Sequence, residues 1–175
     1  MEVPDLLIDG YQRVPLFLEA VVKGLSRDEL RWQPRHDCNS IGWLFWHLSR
    51  QQDAQVASLV GEEQLWIKEA WYTQFHRPGA PEDVGFGHTP EEVAAFEPPD
   101  GPLLLDYHRA VMERTKRYLR SLSGADLDRE LDEPWFQPVP TVGVRLVSIL
   151  DDCCLHAGQA AYVRGLMQGK GWQDY

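Results

Sequence analysis

The sequence predicts an all-α protein, a four-helix bundle with one long crossover connection between its second and third long helices. Three observations predict it. Apolar residues recur at helical spacing in four long segments, no segment alternates with the period of two that marks a half-buried strand, and half of the prolines gather in one connection. At 175 residues the chain corresponds to one domain, 1–175, able to bury a sizeable core without staples.

The first long helix is expected over about 4–25. Leu7, Tyr11, Val14, Leu18, Val21 and Leu25 form its stripe, Pro4 falls in its first turn, and Pro15 lies inside it, where a kink is expected. Ser26 and Glu29 have the capping-box spacing and open a short turn ended by Pro34. The second long helix, about 40–60, opens at Asn39 or Ser40 and closes at Gly61. Its core face is Ile41, Leu44, Phe45, Leu48, Val56 and Leu59, and Trp43, His47 and Gln51 form a neighbouring line. Residues 64–75 are aromatic and helical in character. Over about 76–102 six of the twelve prolines and four glycines make a loop-rich crossover, interrupted where Thr89-Pro90-Glu91-Glu92 reads as a capped turn. Connections this long tend to be functional or to span distant elements. The third helix is expected over about 103–122, with Leu104, Tyr107, Val111, Thr115, Tyr118 and Leu122 on one face, followed by a short turn at 125–131. The last, about 141–168, turns Leu146, Ile149, Cys153, Ala160 and Met167 inward, and 169–175 form a tail.

Composition excludes several functions. Seventeen Lys and Arg against 27 Asp and Glu give a net charge of −10, which disfavours nucleic acid as a partner because phosphate binding relies on clustered cations. No apolar run is long enough to span a membrane, and the first residues have no signal-peptide core. Three cysteines, Cys38 and the vicinal Cys153 and Cys154, make no disulfide or zinc framework. A soluble, cytoplasmic protein acting on a small molecule, without nucleic acid or membrane, is the expectation.

The histidines are the candidates for chemistry. Of six, His47 and His156 lie in strongly helical segments, and Asp152 stands four residues before His156. That spacing puts both side chains on one helix face, and two imidazoles with a carboxylate make an open three-ligand set for zinc, nickel, manganese or iron. Gln159, one turn beyond His156, can hold its ring. A core histidine and a helix-surface ion pair have the same spacing, so spacing leaves metal and packing both open.

Three pieces carry a resemblance. They are Ile41-x-Trp43-Leu44-x-x-His47-Leu48, His156-x-Gly158-Gln159-x-x-Tyr162-x-Arg164-Gly165, and the Leu30-Arg31-Trp32-x-Pro34 turn. Together they resemble the DinB/YfiT-like superfamily of metalloenzymes over nearly the whole chain, 6–167. The resemblance implies an up-down-down-up bundle holding one divalent metal, with one ligand from the second helix and a His-x3-His pair from the last. Mapped here, these fall on His47, Asp152 and His156, so the middle position departs from histidine. Asp151 is the fallback, although five residues of helix turn it about 140° from His156.

The activity implied is thiol transfer or hydrolysis, with a low-molecular-weight thiol such as mycothiol or bacillithiol as co-substrate. A metal-held thiol is deprotonated and needs no separate base, and no catalytic residue beyond the ligands is assigned. An anionic thiol asks for a cationic mouth, for which Arg164, Arg50 and Gln51 are the candidates, with Trp43 as a wall. A homodimer through bundle helices is implied too, and seven tryptophans would allow it. The competing reading is a non-catalytic bundle, binding a small molecule or merely packing, that has lost its metal. Cys153 reads as a small core residue, Trp32, Trp66 and Trp135 as packing, and Asp53, His108 and Tyr162 could approach a core site.

Overall fold

The computed structural model describes residues 2–169 and 171–173; the end of the expected tail, with Lys170, lies outside them. Four long helices dominate: α1 (Val3–Val22), α3 (Ile41–Val60), α7 (Gly101–Ser121) and α9 (Val142–Gln168). Five short ones lie between them: α2 (Arg27–Arg31), α4 (Leu65–Lys68), α5 (Trp71–Gln74), α6 (Pro90–Ala94) and α8 (Gly124–Leu127). The described residues contain no strand, only an isolated bridge between Glu130 and Thr141. None of their helices is long and apolar enough to cross a membrane.

The caps account for most boundaries. Ser26, Ser40, Thr89, Asp100 and Thr141 each accept a backbone N–H from the first turn of the helix they precede. Pro15 sits within α1 without ending it, and Gly61 closes α3 in the left-handed region at φ 74°. The 64–75 segment forms two turns rather than one helix, broken where Ala70 takes φ 53°.

Helix α3 packs on α9 and α7, and α1 packs on the same two. One cluster of buried side chains joins all four, from Tyr11 and Leu18 through Phe45 and Val111 to Leu146 and Ile149. The expectation of a single apolar face on α3 is too narrow. Every residue from 40 to 50 is buried, because the crossover and α2 cover the side that the bundle leaves open. Pro98, Phe96 and Val93 are the crossover's contribution to that cover. Trp66 is core as expected, whereas Trp135 is 72% exposed on the loop before α9.

A polar hub lies inside this packing. Asp53, fully buried, accepts the backbone N–H groups of Leu65 and Trp66 and the Tyr107 hydroxyl, and pairs with Arg50 and Arg114. Arg50 in turn donates to the carbonyls of Pro81 and Asp83. The hub therefore ties the start of α4 and the crossover to α3.

His108 is buried as well, but in an apolar setting. Its Nδ1–H donates to Ser49 Oγ, whose own proton goes to the Phe45 carbonyl, and Nε2 has no partner. Burial pushes its pKa down to about 4. Below its ordinary value of about 6.5 the unfolded chain therefore takes up a proton that the native ring refuses. Stability falls as pH drops through this window, by about 3 kcal/mol between pH 7 and pH 4. Urea titrations at the two pH values should show that loss in the wild type and a loss smaller by that amount in His108→Leu. An equal acid loss in both proteins would contradict it.

Candidate metal centre

Helices α3 and α9, the most extensively packed pair, bring the three expected residues together. His47 lies on the first half of α3, Asp152 and His156 one turn apart in the middle of α9, and one ligand atom from each lies within 4.8 Å of the others. His47 is buried, and Asp152 and His156 are half-buried. Asp151, the fallback, is exposed and outside this group.

Each imidazole is oriented from its far side. His47 Nδ1–H donates to the Val84 carbonyl, and His156 Nδ1–H donates to Gln159 Oε1 at 2.8 Å. Both rings therefore keep the Nε2 lone pair free, the tautomer a ligand needs. His156 Nε2 stands 3.4 Å from Asp152 Oδ1, and the two rings meet edge to face with centroids 4.7 Å apart. Asp152 Oδ2 is buried without a hydrogen-bond partner among the described residues. A lone pair facing a carboxylate oxygen beside an unpartnered buried oxygen is unfavourable unless a cation sits among them. A proton on His156 supplies part of that charge, and a divalent ion would supply all of it.

The titration of the rings follows from the same surroundings. Burial lowers the pKa of His47, more strongly than the Val84 hydrogen bond raises it. Burial works to lower His156 as well, but the approach of the Asp152 carboxylate and the bond to Gln159 raise it overall.

The crossover supplies the wall behind His47. Trp43 stacks on that ring at 4.7 Å and 13°, and its indole N–H donates to His88 Nδ1 at 3.2 Å. His88 Nε2–H donates to Asp83, which also binds Arg77 at 2.6 Å. Burial tends to raise the Asp83 pKa, yet Arg77 and His88 hold it below the usual carboxylate value. Arg77 lies over the Trp46 ring. Gly85, at φ 86°, comes so close that a Cβ there would stand 2.8 Å from Trp46 and 3.0 Å from His47 Nδ1. Sequence spacing had no means of finding Val84, Asp83 or His88, since they reach His47 from a proline-rich loop; the Gly85-Phe86-Gly87 tripeptide was the available sign of a tight approach.

The expected cationic mouth is corrected. Arg50 is fully buried in the Asp53 hub. Arg164 is buried too, its guanidinium donating to the Ala20 and Val21 carbonyls at the end of α1 and lying over Trp172. Arg164 satisfies carbonyls at the end of α1 and Arg50 carbonyls within the crossover, as guanidinium forks do where carbonyls lack partners. Gln51 is half-buried, one turn past His47. Cys153 is fully buried, with its thiol pushed well above its ordinary pKa by burial, and Cys154 is exposed.

No curated protein matches the chain. A crystal structure of a conserved protein from Enterococcus faecalis is similar over 97% of this chain and 99% of that one, with 34% identity and a TM-score of 0.89. The family model of the DinB superfamily matches residues 12–160, a span that holds all four long helices in whole or in part and His47, Asp152 and His156. With its helices, its crossover and its convergent histidines inside that match, the chain belongs to the DinB superfamily.

Proposed function

We propose that this protein is a divalent-metal-dependent enzyme that activates a low-molecular-weight thiol or water for transfer to, or hydrolysis of, a small electrophile. One observation carries the reading: two histidines with free Nε2 lone pairs converge on a carboxylate whose second oxygen is buried and unpartnered. Two imidazoles and a carboxylate are a donor set for zinc, iron, manganese or nickel with positions left open. A divalent ion held there supplies Lewis acidity, lowering the pKa of a thiol or water bound to it.

In this reading His47, Asp152 and His156 hold the ion. Val84 and Gln159 fix the two rings, and Trp43 with Gly85 closes the side behind His47. No further base is required. The His156–Asp152 pair favours a second reading, in which a protonated imidazole balances the carboxylate and the bundle serves as a binding protein without metal.

The test is turnover of 1-chloro-2,4-dinitrobenzene with cysteine, mycothiol or bacillithiol, and of p-nitrophenyl acetate with water, by protein loaded with each of the four metals. Turnover with at least one metal, absent after chelation and in His47→Ala, is expected. Turnover indifferent to chelation would contradict the proposal.

A further inference from the structure

Beside the candidate metal centre a groove of about 750 Å³ runs between α9 and the loop leading into α3. Pro34 and Leu44 form one wall, and Leu155, Tyr162 and Leu166 the other. The last three are 56%, 71% and 51% exposed, so the protein leaves an apolar wall open to water. The volume is that of pockets for small organic ligands, roughly 300–1,000 Å³. Gln159 belongs to this lining and also accepts from His156, so the groove adjoins the candidate metal centre through that side chain.

The charge of the lining decides what it takes. Asp37 is its one charged side chain, and both of its oxygens are bound by Arg35, at 3.0 and 2.7 Å. Among the described residues no lysine, arginine or histidine lines the groove, and Arg50 and Arg164 are engaged elsewhere. An anion entering it would lose hydration and meet no cationic side chain among the described lining residues. The polar groups on offer are uncharged, from Cys38, Asn39, Cys154, Gln159 and Tyr162; the Gln159 amide N–H, nearest to His156, has no protein partner among the described residues, its Oε1 being the atom that faces His156.

We infer that this groove binds an uncharged, largely apolar small molecule that presents a hydrogen-bond acceptor to Gln159. The inference rests on the proposed metal-dependent reaction for the part the molecule would play. It makes the groove's ligand a neutral electrophile or a neutral thiol, and it disfavours polyanionic thiols.

The experiment uses two probes with the same rings, 1-anilinonaphthalene and its 8-sulfonate, titrated by fluorescence into the whole protein. Gly158 lies on the lining, and a Cβ there meets nothing within 4 Å, so Gly158→Trp fills the groove from an exposed helix position. Leu155→Glu adds a charge to the same wall. The uncharged probe should bind about tenfold or more tighter than the sulfonate, and each variant should weaken it by about tenfold with metal content unchanged. Asp152→Ala should leave probe affinity within about twofold. Failure of the metal reading would thus appear as absent metal beside intact probe binding. Equal or tighter binding of the sulfonate, or probe binding indifferent to both variants, would overturn the inference. So would a wild type that takes up no probe and sediments as a dimer dissociated by Gly158→Trp, since a second copy would then own the face.

Discussion

Asp53→Ala should lower stability by about 3–5 kcal/mol, the cost of removing one partner from a buried charge cluster. Arg50 is fully buried, and Arg114 nearly so, and alanine would leave both guanidinium groups without their carboxylate. It would also orphan the N–H groups of Leu65 and Trp66 and the Tyr107 hydroxyl. Against a total stability of about 5–15 kcal/mol this is a large share. Urea unfolding followed by tryptophan fluorescence should place the midpoint about 1.5–2.5 M lower. The loss would extend to the candidate metal centre, because Arg50 holds the carbonyls of Pro81 and Asp83 next to the Val84 carbonyl that orients His47. A midpoint within about 0.3 M of the wild type would contradict the description of Asp53 as the hub.

The helices were legible because their signals are local. Stripes at helical spacing, the Ser26 and Thr89 capping boxes and the Gly61 stop lie within a few residues of the structure they encode. The convergence of His47, Asp152 and His156 was legible in part for the same reason, since four residues of helix place the α9 pair on one face. What was hidden depends on contacts distant in sequence. Arg50 reads as a mouth residue on its own helix and becomes core because a loop 30 residues later folds over it. Arg164 reads the same way and is drawn inward by carbonyls 143 and 144 residues earlier. His88, in the proline-rich crossover, reaches Trp43 across 45 residues. No periodicity encodes such contacts, and buried charges are the residues for which exposure is hardest to read from type.

Asp152→Ala should abolish metal retention while leaving the fold intact. Asp152 is half-buried, its Oδ2 has no partner among the described residues, and its Oδ1 makes one ion-pair contact there, with His156 at 3.4 Å. Replacing it therefore removes little structural bonding and a full ligand charge. Gln159→Ala, which frees the His156 ring, should weaken retention by about 10–100-fold rather than abolish it. The most direct measurement of the central claim is elemental analysis of tag-free, chelator-free protein, wild type beside Asp152→Ala. Near one equivalent of zinc, nickel, manganese or iron per chain in the wild type, and background in the variant, is the predicted result. Background in both, even after incubation with each of the four ions, would contradict it and leave His47 and His156 as core histidines.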